Sequence, residues 1–107
     1  MARALINAPV AARAGEIIEI RTLVTHPMET GFRPGPDGKT LPRDIIRRFT
    51  CQYNGELVFS ADLFSAIAAN PFIAFHTRAT KSGVIQCVWE GDNGFSQTES
   101  VSITVLG

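Results

Sequence analysis

Val84-Ile85-Gln86-Cys87-Val88-Trp89-Glu90, followed by Gly91-Asp92-Asn93-Gly94 and then Ser96 to Leu106, is the stretch that decides the fold. In its first half Ile85, Cys87 and Trp89 share one face; in its second, Val101, Ile103 and Val105 alternate with Ser100, Ser102 and Thr104. A period of two with one apolar and one polar face predicts a β-hairpin. A lone hairpin is marginal in water, so the face carrying Trp89 requires a second sheet to cover it.

Working outward, the rest of the chain supplies that cover. Phe72 to Ala79 reads as a strand, with Phe72 and Ala74 on one face and Ile73, Phe75 and Thr77 on the other. Arg47 to Tyr53 alternates Phe49, Cys51 and Tyr53 with Arg48, Thr50 and Gln52, and Asn54-Gly55 then gives a strong hairpin turn signal. Glu56 to Ala61 is the returning strand, with Leu57 and Phe59 opposite Val58. Asp62 to Asn70 reads as a crossover with one helical turn, ended by Asn70-Pro71. Glu16 to Thr25 places Ile18, Ile20, Thr22 and Val24 on one face and is expected at the centre of a sheet. Ala4 to Ala8, stopped by Pro9, predicts an edge strand, and Ala14-Gly15 turns the chain. The sum is an all-β, immunoglobulin-like sandwich of about seven strands, in a single domain of residues 1–107.

Between His26 and Pro42 the periodicity vanishes, and Arg33-Pro34-Gly35-Pro36-Asp37-Gly38 carries turn chemistry instead. So long an irregular segment is either a loose connector or a functional loop. Met28 and Phe32 point to the second reading, because large apolar side chains in a loop pack on the domain's flank or on a partner.

Ten basic and ten acidic residues cancel, which leaves no field to recruit nucleic acid or an anionic membrane. The charge is nonetheless polarised. Arg33, Lys39, Arg43, Arg47 and Arg48 outnumber Asp37 and Asp44, whereas Glu90, Asp92 and Glu99 outnumber Lys81. That distribution suits a protein partner, and no apolar run is long enough to span a bilayer. The first nine residues lack the apolar core of a secretory signal, so composition alone points to the cytoplasm.

No catalytic motif can be placed. His26 and His76 have no ligand at metal spacing, Asp92-Asn93-Gly94 lacks the later acidic ligands of a calcium loop, and no cofactor fingerprint occurs. Cys51 and Cys87 lie on the apolar phase of neighbouring strands. Buried free thiols, a cross-strand disulfide and a reactive thiol all remain open readings. Arg43, Arg47 and Arg48 are either an anion site or a solvated face.

Five stretches in order carry a resemblance: His26-Pro27-Met28-Glu29-Thr30-Gly31-Phe32-Arg33, Leu41-Pro42-Arg43-Asp44-Ile45-Ile46, Tyr53-Asn54-Gly55-Glu56, Ala68-Ala69-Asn70-Pro71 and Gly91-Asp92-Asn93-Gly94. Over essentially the whole chain the sequence resembles the SoxZ family, the Z subunits of the sulfur-oxidation carrier complex. The resemblance implies a non-catalytic immunoglobulin-like subunit, without metal or cofactor, that forms a heterodimer with SoxY. SoxY's mobile tail would bear the substrate sulfur on a cysteine, and other Sox enzymes would be met transiently. The terminal Ser102-Ile103-Thr104-Val105-Leu106-Gly107 has neither glycine tail nor cysteine, as such a subunit requires. The resemblance also implies the periplasm, reached as a passenger of the signal-bearing partner, against the compositional reading. The expected partner-binding set is His26, Met28, Glu29, Phe32, Arg33 and Arg43, with Met28 and Phe32 buried in the interface and the arginines at its rim. The alternative is a sulfur relay through Cys51 or Cys87. Whether the isolated chain also self-associates is not decided by sequence.

Overall fold

The computed structural model describes residues 3–107, and among them eight strands form two sheets. The strands are β1 (Ala4–Asn7), β2 (Ala11–Arg13), β3 (Ile17–Val24), β4 (Ile46–Tyr53), β5 (Glu56–Asp62), β6 (Phe72–Arg78), β7 (Gly83–Gly91) and β8 (Ser96–Leu106). One sheet has the order β1-β3-β6 and the other β2-β8-β7-β4-β5. The chain is therefore an all-β sandwich of immunoglobulin-like order, with the decisive hairpin β7–β8 inside the larger layer.

The eighth strand is the one that alternation missed. β2 is three residues long and pairs in parallel with β8, from Ala11 opposite Thr104 to Arg13 opposite Leu106. Three residues are too few to show a period. Pro9, read as the end of an edge strand, marks where the chain crosses from the small sheet to the large one.

The core follows the alternation. Ile18, Ile20, Thr22 and Val24 of β3 face inward, opposite Phe49, Cys51, Ile85, Cys87, Trp89 and Ile103 of the large sheet. Aromatic rings join the layers: Phe75 of β6 stacks on Phe59 of β5 at 4.5 Å and meets Phe49 at 6.1 Å, and Phe49 meets Trp89 at 5.2 Å. Thr22, the one buried polar residue of β3, donates its hydroxyl to Ile73 O at 2.8 Å, which removes the cost of burying it.

Three local expectations fail for physical reasons. Leu57 and Phe59 do not share a face, because a bulge between Cys51 and Gln52 sets Phe59 opposite Cys51 and Leu57 opposite Gln52. Phe59 packs inward and Leu57 is exposed. The crossover after β5 holds no helix; its local order is a turn in which Ile67 N–H donates to Phe64 O at 3.0 Å. Gly91 belongs to β7 rather than to the turn, and a side chain there would strike the Ile45 carbonyl.

Candidate functional site

The segment from His26 to Arg47 closes one end of the sandwich. It is irregular but not loose. Glu29 and Asp44 exchange backbone N–H···O bonds of 2.8 Å in both directions, and Pro34 bridges Thr40.

Its anchor is His26, only 4% exposed. The His26 N–H donates to Asn70 Oδ1 at 3.0 Å, and Asn70 N–H returns a bond to His26 O at 2.8 Å. Met28 N–H donates to His26 Nδ1 at 3.0 Å, so the neutral ring carries its proton on Nε2, which lies 3.7 Å from Asp44. Phe95 packs edge-on against the imidazole at 4.8 Å. Burial holds the His26 pKa below its usual 6.5, against the opposing pull of Asp44 and Asp92.

Met28 is equally buried at 4%, and its φ of 50° places a non-glycine residue in the left-handed region. Its Sδ accepts the Ile46 N–H at 3.2 Å. His26 and Met28, both in the expected partner-binding set, have buried side chains that accept N–H bonds within the loop and from β4. Glu29, Phe32, Arg33 and Arg43 are the members of that set that reach solvent. Glu29 and Arg33 form a two-point pair at 2.6 and 3.3 Å, which holds Glu29 below the usual carboxylate range. Phe32 is 82% exposed.

Alternation missed the residue that organises this end, Asp92. It was assigned only to a turn, and its segment Asp92–Gly94 is a short 3-10 turn. Arg43 donates to both its oxygens at 2.9 Å, Arg47 Nε lies 3.1 Å from Oδ1, and Ile45 N–H donates to Oδ2 at 3.1 Å. The Arg43 guanidinium, helped by Ile45 N–H and Arg47, holds Asp92 below the usual range. The signal is present in the charge distribution, a basic stretch before an acidic one, but sequence offers those charges a protein partner, an anion or solvent rather than one another. Part of it closes the protein on itself. Arg48 likewise pairs with Asp62 at 2.9 Å rather than joining an anion site.

Arg43 and Arg47 also line a cleft of about 480 Å³ with Leu63 and Phe64, and Gly31 lies against the Arg43 side chain. This end thus combines exposed aromatic rings with arginines already oriented by Asp92. The other chemistry-bearing residues are elsewhere. Cys51 and Cys87 are register partners on β4 and β7, both free thiols and both 0% exposed. Hydrogen bonding to Cys51, with burial, pushes the Cys87 thiol above its usual range. Among the described residues no three His, Cys, Asp or Glu side chains gather as a ligand set for a metal ion.

A sequence profile described as "Sulphur oxidation protein SoxZ" matches residues 6–102. The chain belongs to the SoxZ family. Membership places it in Sox sulfur oxidation, and the His26, Leu41, Asn70-Pro71 and Gly91 motifs meet at one closed end, whereas the Tyr53-Asn54-Gly55-Glu56 turn lies at the opposite end. No curated protein matches the chain in sequence. Among solved structures, the sulfur carrier protein SoxY from Chlorobium limicola f thiosulfatophilum aligns with a TM-score of 0.67 at 15% identity, over 97% of this chain and 79% of that one. A superoxide reductase (neelaredoxin) from Ignicoccus hospitalis gives 0.71 at 16%, over 96% and 80%. A CARDB domain from Pyrococcus furiosus gives 0.55 at 15%, over 100% and 94%. At these identities the likeness is one of fold alone.

Proposed function

We propose that this member of the SoxZ family is a non-catalytic subunit of a SoxYZ sulfur carrier, which binds SoxY and helps present its cysteine tail to the Sox enzymes. The observation that carries this reading is the complete burial of Cys51 and Cys87. Sulfur transfer needs a thiolate that the donor can reach, and two thiols sealed inside the sandwich cannot be reached. What the molecule offers to solvent is a contact surface: Phe32, Arg33 and Arg43, with Glu29 beside Arg33 and His26 and Met28 holding the loop from beneath. Exposed aromatics flanked by arginines are the composition of interface anchors. The proposed compartment is the periplasm, reached with SoxY as the signal-bearing partner.

Co-expression with SoxY and measurement of complex affinity tests the reading. Phe32→Ala is expected to weaken the complex by about 10- to 100-fold, the range of an interface anchor. A C51A/C87A variant that folds is expected to support sulfur oxidation at the wild-type rate. A persulfide trapped on either cysteine during turnover, or failure of the two chains to associate, overturns the proposal. Loss of this chain from the periplasmic fraction when the SoxY signal is deleted checks the export route.

A further inference from the structure

The two outer sheet faces of the sandwich differ. Register sets Leu57, Gln52, Gln86 and Ser100 in one row of the large sheet and Thr50, Val88 and Thr98 in the next, so that its exposed apolar residues, Leu57 and Val84, stand singly among hydroxyls and amides. On the small sheet Leu5, Leu23 and Phe72 form one row across three strands and stand 55, 38 and 61% exposed. Two rows further on lies Glu19 beside His76, and at the far end Ile17, 54% exposed, beside Arg78.

Along the centre of that face, the outward side chains of β3 read Ile17, Glu19, Arg21, Leu23: apolar, acidic, basic, apolar. The pattern is complementary to its own reverse. We infer that the outer face of β1-β3-β6 is the contact surface for a second copy of this chain. The two copies pack face to face, with their β3 strands antiparallel about a twofold axis that passes between Glu19 and Arg21.

That axis sets Ile17 over the second copy's Leu23 and Glu19 over its Arg21. On β6 it sets Phe72 over the second copy's Arg78, an aromatic face against a guanidinium. Shifting the axis by one row would put arginine on arginine or glutamate on glutamate, so the charges select one register. Within a single copy Arg21 Nε already donates to Glu19 Oε1 at 2.8 Å, which fixes both side chains before association. The second copy closes these two pairs into a ring of alternating charge. Isologous contacts of this kind are the usual way in which a surface recognises itself. The face is only three strands wide, about 10–15 Å at ordinary strand spacing, so a dissociation constant in the range of about 1–100 μM is expected.

Sedimentation of the isolated chain over a concentration series tests this, with far-UV circular dichroism and Trp89 fluorescence confirming the fold of each variant. The apparent mass is expected to rise from 11.6 kDa towards twice that value. Leu23→Glu is expected to raise the dissociation constant by about 100-fold, because a carboxylate would be buried without a partner. Arg21→Glu alone is expected to raise it by about tenfold, and combining it with Glu19→Arg to restore association, since the swapped pattern is again self-complementary. A chain that stays monomeric at about 1 mM overturns the inference, as does a dimer indifferent to Leu23→Glu or to the single charge reversal. If the chain alone is monomeric and Leu23→Glu abolishes its complex with SoxY, the face belongs to a different protein and the second copy is excluded.

Discussion

The hairpin β7–β8 and the segment from His26 to Arg47 are held in place by different physics. In the hairpin Ile85, Cys87, Trp89, Val101, Ile103 and Val105 enter one continuous apolar layer, so its order comes from many interchangeable contacts. In the segment it comes from a few specific ones: an imidazole nitrogen accepting one N–H, a thioether accepting another, and a carboxylate shared by two arginines and a backbone amide. Distributed packing tolerates small changes and fails in proportion to volume lost. Point contacts fail one at a time, and each failure is local. A region built in the second way suits a surface that must hold one shape for a partner.

The largest effect should come from the hairpin. Trp89→Ala is expected to destabilise the fold by about 3–5 kcal/mol, the cost of emptying a fully buried aromatic site. Trp89→Phe should cost less, because Trp89 Nε1 is buried without a hydrogen-bond partner and its removal offsets part of the lost volume. Denaturant titration measures both; equal losses would contradict the packing account.

Asp92→Ala comes next. It leaves the Ile45 N–H without its acceptor and releases two exposed guanidinium groups to water, for which a loss of stability smaller than that of Trp89→Ala is expected. The signature that separates it from Trp89→Ala is spatial. Hydrogen exchange should quicken in residues 26–47 while β7 and β8 stay protected.

The third effect is a pH slope. Because burial lowers the His26 pKa in the fold, the unfolded chain binds more protons as pH falls below 6.5. His26 therefore contributes stability above that value and loses it on acidification, at a fraction of the roughly 1.4 kcal/mol per pH unit carried by one whole proton. The lowered Glu29 and Asp92 act in the same direction in a more acidic window. Stability measured between pH 7.5 and about 5.5 should lose this slope in His26→Asn; an unchanged slope would place its origin elsewhere.

The smallest effect is the most pointed. Phe32→Ala should leave stability within about 0.5 kcal/mol, because the ring is 82% exposed, even as it weakens the SoxY complex. A large loss of stability would show that the ring belongs to the fold rather than to a partner.

Alternation in the chain was enough to define most of the sandwich. β3, β4, β6, β7 and β8 were legible with their inward residues, since a period of two is a local property that needs only the order of side chains. It could not show β2, too short to have a period, nor the bulge that turns Leu57 outward, because a bulge is a relation between two strands. The family, too, was legible in the motifs that the sequence strings together.

Tertiary structure alone decided which residues of those motifs face inward. His26 and Met28 look as available in sequence as Phe32, and only folding, which brings Asn70, Ile46 and Phe95 against them, turns them into supports. Asp92 acquires its role in the same way, from arginines 49 and 45 residues away along the chain that its own neighbourhood does not announce. Pairing between distant side chains depends on where the strands deliver them, and that is a property of the closed sandwich rather than of any segment within it.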